Sequence, residues 1–304
     1  MVMNSLFPVF ALLVMGMAFR HWRLTTGEFL KTADRLVYFI FFPALLFWKI
    51  GGAPPSPEAS GHFYLAAALA VILIYLVSLA YIVWRVPAFQ AGTFSQSCYR
   101  FNTYIGMAII INALGEEGVR QFGILIGFLI PTINVLAVST LTWFAAERSG
   151  VVQRIRQALR AMMTNPLIIA CVSGLIYSRV VGYFPVFVHN ALGLMAAITL
   201  PMALLSIGGA LTLTGLREHW GQSLVGAIFK LLVLPLTGWT LFWWLNVHGL
   251  QLQIGMIFFA LPTSPAIYVL SSQLKSDTRL ASAAIVLSTA LSFVSLTIVL
   301  TVFG

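Results

Sequence analysis

Apolar runs of about twenty residues, separated by short polar stretches, recur along the whole chain. Since a hydrocarbon core about 30 Å thick takes about 20 helical residues to cross, their spacing predicts ten membrane spans. These fall at approximately 4–20, 33–51, 62–85, 89–114, 119–146, 165–183, 186–214, 220–246, 250–274 and 279–303. The longest interruption, "ERSGVVQRIRQALRAMMTNP", puts Val151, Val152, Ile155, Leu159 and Met162 on one helical face and its arginines mostly on another, the pattern of an interfacial helix. It divides the spans five and five. The expected organisation is a first five-helix unit at 1–146, an amphipathic linker at 147–164 and a second five-helix unit at 165–304.

The two halves carry an internal repeat. A shift of 158 residues lays Pro8 on Pro166, Gly16 on Gly174, Pro43 on Pro201, Leu46 on Leu204 and Gly51 on Gly209. A shift of 160 lays Gly61 on Gly221, Trp84 on Trp244 and Thr103 on Thr263, so that "FNTYIG" in the fourth span falls opposite "LPTSPA" in the ninth. An odd number of spans per unit makes the second unit enter the membrane from the opposite side. The fold class expected is therefore an all-α polytopic membrane protein, ten transmembrane helices in a 5+5 inverted repeat, as in many secondary transporters.

Polar residues interrupt the runs at matched positions. Arg100, Asn102, Thr103 and Tyr104 lie inside the fourth span, and Pro262, Thr263 and Ser264 inside the ninth. Unpaired polar groups in lipid cost several kcal/mol. Pro262 and Pro265 each remove a backbone donor, and Gly106 with the Asn-Thr pair makes an unwound segment tolerable in the other span. Two broken helices meeting near the midplane would present free N–H groups that favour anions. The bland alternative is that Asn102 and Thr103 only satisfy each other at a helix interface. Asn134, one turn after Pro131, either lines the same cavity or satisfies the carbonyl that Pro131 leaves free. Lys230 either faces substrate, snorkels or bonds carbonyls freed by Pro235, and Arg100 either faces substrate or neutralises helix carbonyl ends.

Composition agrees with this picture and narrows the chemistry. The 304 residues are 60% hydrophobic and 8% charged, with a mean hydropathy of +0.96. The formal charge of +9 is a topology signal rather than a nucleic-acid surface. Of the 17 Lys and Arg, twelve lie in or beside odd-numbered loops: Arg20, Arg23, Lys31, Arg35, Arg85, Arg148, Arg154, Arg156, Arg160, Arg217, Lys275 and Arg279. Odd loops are then cytoplasmic and both termini face outside. All eight acids fall at span ends or in loops, so a transported cation would lack an intramembrane counter-ion and an organic anion is favoured. Cys98 and Cys171 show no metal-type spacing and read as reduced packing residues. No catalytic set, metal-ligand spacing or phosphate loop is present, so no enzyme, cofactor or metal is expected.

Several stretches resemble the auxin efflux carrier family, which includes plant auxin exporters and bacterial malonate-type permeases. "LFPVFALLVMGMAFRHWRLT" and "FPALLF" resemble its first two spans, "NPLIIACVSGLIY" its sixth and "LPMALLSIGGAL" its seventh. "ALPTSPAIYVLSSQLKSD" resembles its ninth span, and "FNTY" the "PNTY" of the plant members' fourth. The resemblance implies crossing broken helices 4 and 9, as in sodium/proton antiporters and bile-acid symporters, with helices 1, 2, 6 and 7 as scaffold and helices 3–5 and 8–10 as transport domain. It implies that Asn102 contacts a substrate carboxylate, that Pro262 marks the ninth-span break, and that the scaffold helices form any homodimer. It implies a bacterial inner membrane location, with membrane lipids and a small organic anion as partners. Phe101 stands where the plant motif has proline. The function expected is elevator-type carriage of a small carboxylate, export first. The alternatives are a proton-coupled importer of mono- or dicarboxylates such as malonate, and a membrane sensor or anion channel.

Overall fold

The computed structural model describes residues 2–52, 61–144, 163–211 and 215–304. Among them every element is helical: α1 (Val2–His21), α2 (Gly27–Leu36), α3 (Phe42–Gly51), α4 (Gly61–Arg85), α5 (Ala88–Tyr99), α6 (Thr103–Phe144), α7 (Pro166–Val180), α8 (Val186–Ala210), α9 (Trp220–Ile228), α10 (Leu234–Trp244), α11 (Gly249–Ala260), α12 (Ala266–Gln273) and α13 (Thr278–Val302). The expected interfacial helix lies outside the described residues, except for Met163 and Thr164. Six helical stretches among the described residues are long and apolar enough to cross a membrane. Two shorter apolar helices are α7 and α11. The chain is a multi-pass helical membrane protein.

Local sequence explains where the helices start and bend. Thr26, Asn165 and Asp277 are N-caps whose side chains accept from N–H groups of the first turns of α2, α7 and α13. Two π-helical turns, Val37–Phe41 and Phe229–Val233, lead into α3 and α10. A proline sits two residues beyond each, Pro43 and Pro235, and a proline cannot serve the carbonyl four residues earlier. For Pro235 that carbonyl belongs to Leu231, and Ser295 Oγ donates to it at 3.3 Å. A serine thus meets this carbonyl, one of the roles open to Lys230 from the sequence. Gly115, at φ 66° and ψ −157°, divides α6 into two limbs, a conformation that glycine alone adopts cheaply.

The chain forms two compact units. Unit 1 comprises 1–59, 104–128 and 163–211. In it α1 packs along α8, and α3 along α7. Gly16 and Gly208 make the first pairing close: a Cβ on Gly16 would run into the Leu205 carbonyl, and one on Gly208 into the Leu13 carbonyl. At the second, a Cβ on Gly174 would stand 3.1 Å from Ile50 Cβ. Small residues that let backbones approach are the usual means of joining helices in lipid, where the hydrophobic drive between helices is lost.

Unit 2 comprises 60–103, 129–162 and 212–304. Its centre is α5, buried at every residue from Ala91 to Tyr99 and packed against α4, α9, α12 and α13. This helix is polar as well as buried, so its side chains are hydrogen bonded across the unit. Thr93 Oγ1 lies 2.8 Å from Ser271 Oγ and 2.9 Å from Ser276 Oγ. Gln90 donates to Asp277 Oδ2 at 3.0 Å and accepts from Gln222 at 2.6 Å.

Gly208→Val places two methyl groups against the Leu13 backbone and is expected to destabilise by about 1–3 kcal/mol. A lowered unfolding midpoint in detergent would register this, with Gly221→Ala, where nothing lies within 4 Å, as the neutral control.

Candidate functional site

Two helix interruptions meet inside unit 2. Helix α11 ends at Ala260, Leu261 is extended (φ −64°, ψ 146°), and helix resumes at Ala266. Pro262 accounts for this locally, since proline drives its predecessor out of helical backbone. Helix α5 ends at Tyr99, Arg100 is extended (φ −73°, ψ 140°), and α6 begins at Thr103. No proline lies in this break. Gly106 was expected to share the unwound segment, but it is buried within α6; the break lies wholly before Thr103.

Tertiary contacts hold the first break open. The Asn102 N–H donates to the Pro262 carbonyl at 2.9 Å. Phe101, 4% exposed, packs edge-on against Phe258 with ring centroids 4.6 Å apart. The second break is pinned in turn: the Thr263 N–H donates to Ser288 Oγ at 3.1 Å, and Thr263 Oγ1 donates to the Ser97 carbonyl at 3.0 Å. Ser264 Oγ accepts from the Ala266 N–H at 3.3 Å, in the first turn of α12.

Each break has a cation at its helix end. Arg100, the C-cap of α5, donates through Nη1 to Gln96 Oε1 at 2.9 Å and through Nη2 to Asn134 Oδ1 at 2.7 Å. Asn134 thus accepts from Arg100 through its side-chain oxygen. Lys230, in the π-turn, is fully buried and donates through Nζ to the Phe259 carbonyl at 2.8 Å, near the end of α11. Its ammonium is also 5.9 Å from the centre of the Phe258 ring. A positive charge at a helix C-terminus is favourable, because the last carbonyls carry negative partial charge.

Of the residues singled out in the sequence, Arg100, Asn102, Thr103, Asn134, Lys230, Pro262, Thr263 and Ser264 all fall in unit 2, while Tyr104 falls in unit 1, edge-on to Phe42 at 4.9 Å. Sequence reasoning missed Gln96, Ser97 and Ser288. Gln96 stands one helical turn before Arg100, a spacing that was there to be read. Ser288 lies on α13, 25 residues from Thr263, and no local pattern points to it. Asn102 is fully buried and Thr263 nearly so. The constellation is thus made of amide, hydroxyl and cationic groups. Among the described residues no cluster of His, Cys, Asp or Glu is arranged to hold a metal ion.

Comparison with known proteins gives two findings. The sequence model of a family described as membrane transport protein matches residues 146–300. An uncharacterized transporter from Methanocaldococcus jannaschii is 22% identical over 300 residues, covering 95% of both chains.

Ser288→Ala leaves the buried Thr263 N–H without its acceptor, and such a loss costs about 1–3 kcal/mol. The unfolding midpoint is expected to fall clearly. Ser295→Ala, which gives up only the 3.3 Å bond to Leu231, is expected to lower it less.

Proposed function

The chain belongs to the membrane transport protein family of auxin efflux carrier type, and from that premise we propose that it is a secondary carrier for a small organic anion whose carboxylate binds at the paired helix interruptions of unit 2. The observation that carries this reading is the hydrogen bond from Asn102 to Pro262. The two residues are 160 apart, the offset that overlays the fourth and ninth spans in sequence. Such paired interruptions are the places where transporters of inverted-repeat architecture bind substrate, and helix starts there favour anionic groups. Asn102 is the proposed carboxylate contact, with Thr103, Thr263 and Ser264 as neutral hydrogen-bond partners.

Ten spans in two inverted halves are part of the proposal. Supporting it, α2 with α3, α9 with α10, α11 with α12, and α5 with the first limb of α6 each make one predicted span, and α1, α4, α7, α8, α13 and the second limb of α6 make the others. The pairings α1 with α8 and α3 with α7 are what the 158-residue offset relates to each other. Both termini are proposed to face outside, a reading the basic odd-numbered loops support, and the bacterial plasma membrane is proposed from the family resemblance. Elevator-type alternating access is supported by the division into two compact units. Unit 1 holds α1, α2, α3, α7 and α8, the helices assigned to the scaffold, together with 104–128, which the family resemblance assigns to the transport domain.

Export is the direction proposed. An anion leaving a cell that is negative inside gains about 2.3 kcal/mol per charge per 100 mV, so no coupling ion is needed. A second reading, proton-coupled import of a carboxylate, is favoured by one feature: Asp277, 6% exposed, lies with Oδ2 3.6 Å from His219 Nε2.

The test is flux of radiolabelled malonate, a short monocarboxylate and indole-3-acetate in proteoliposomes with an imposed potential. Saturable, potential-sensitive flux of one acid, lowered at least tenfold by Asn102→Ala in a folded variant, is the expected result. Normal flux in that variant would overturn the site. Flux that follows a pH gradient with the potential clamped would select the import reading.

A further inference from the structure

Unit 1 has an apolar groove of about 410 Å³ that the transport reading does not use. Its volume is within the range of small-molecule sites. Gly16, Phe19, Thr25, Phe29, Pro201 and Leu205 are among its walls, contributed by α1, the turn that follows it, α2 and α8. One polar atom in this lining has no counterpart. Thr25 Oγ1 is shielded from solvent and has no hydrogen-bond partner among the described residues. The neighbouring polar groups are already committed: Ser206 Oγ donates to the Leu30 carbonyl, and Arg20 Nη1 to the Gly209 carbonyl.

The turn and the helix α2 that contribute walls to the groove also carry groups suited to a membrane interface. Trp22, Leu24 and Phe29 are 66%, 68% and 56% exposed. Exposed aromatic and aliphatic side chains at a turn between an apolar span and the amphipathic α2 mark the level of lipid head groups. Arg20, Arg23, Lys31 and Arg35 stand in this turn and helix against two acids, Glu28 and Asp34. Arg23 is fixed in a left-handed turn at φ 59°, which makes the corner a defined structure.

We propose that this groove is a binding site for an anionic phospholipid of the surrounding bilayer, with an acyl chain in the groove, a carbonyl or phosphate oxygen on Thr25 Oγ1, and the head group among Arg23 and Lys31. Three observations support it: an apolar groove, an orphan hydroxyl in its lining, and a net positive charge on the turn and helix that supply its walls, the kind of juxtamembrane basic segment that draws anionic lipid. The site depends on the chain being a membrane protein and not on the identity of the transported substrate, so it is testable apart from the helix interruptions.

Native mass spectrometry of the purified protein, released from micelles containing equal amounts of phosphatidylglycerol and phosphatidylcholine of identical chains, reads the lipid retained. Wild type is expected to keep one phosphatidylglycerol. Ala197→Trp, which fills the groove from an exposed position, is expected to reduce that adduct at least tenfold. The pair Arg23→Gln and Lys31→Gln is expected to abolish the preference for phosphatidylglycerol, and Thr25→Val to weaken retention. Equal retention of both lipids by wild type overturns the head-group assignment. Unchanged retention by Ala197→Trp overturns the groove. A dimer that carries no lipid and dissociates in Ala197→Trp overturns the proposal in favour of a second copy of this chain as occupant.

Discussion

A bilayer has no water to take up a backbone group that a broken helix releases, and this constraint governs the whole of unit 2. A helix can stop at mid-depth only where each freed N–H and carbonyl finds a partner inside the protein. The interruptions after Tyr99 and Ala260 meet that demand by satisfying each other and their neighbours: Asn102 to Pro262, Thr263 to Ser288 and to Ser97, Ser264 to the start of α12. Any one of these bonds has a modest net worth, but leaving its buried partner unmatched costs more than the bond contributes. The polar residues of the two interruptions are therefore tied to one another and to their neighbours, and each is held by the penalty for losing its partner.

The same logic assigns the buried charges. Helices that stop mid-membrane leave carbonyls pointing into the break, with partial negative charge. Arg100 and Lys230 stand at those two ends, the first through Gln96 and Asn134 and the second directly on the Phe259 carbonyl. At the Phe259 carbonyl the lysine offsets the partial negative charge of a helix end. Lys230 suits its task as a compact charge on a flexible stem, while Arg100 uses its planar fork to join two amide oxygens.

Much of this was legible in the chain. Hydropathy marks the helical stretches because the bilayer enforces length and composition, and the prolines of "LPTSPA" mark the second interruption because their effect on backbone is local. The first interruption is written differently. "FNTYIG" signals polarity without geometry, so Gly106 looks like part of an unwound segment when the break in fact ends at Asn102. Nothing near it in sequence names Phe258 or Ser288, which pin the breaks from other helices. The π-turns before Pro43 and Pro235 were similarly hidden: a proline announces that a helix is disturbed, but whether the ladder kinks or widens depends on what accepts or donates nearby, here Ser295. Tyr104 shows the other limit, since adjacency to Thr103 in sequence did not keep it in the same compact unit.

The asymmetry between the two breaks has a mechanical consequence. Pro262 and Pro265 make the ninth-span interruption a property of the chain itself, present whatever surrounds it. The fourth-span interruption lacks a proline and lasts only while Asn102, Phe101 and Arg100 keep their partners in the second interruption, on α11 and on the second limb of α6. A chain free to rejoin α5 to α6 would return the Asn102 N–H, now given to the Pro262 carbonyl, to an ordinary helical hydrogen bond. The first break thus draws its stability from the packing of unit 2. The residues of both breaks lie within that one unit, whose boundary falls between Thr103 and Tyr104.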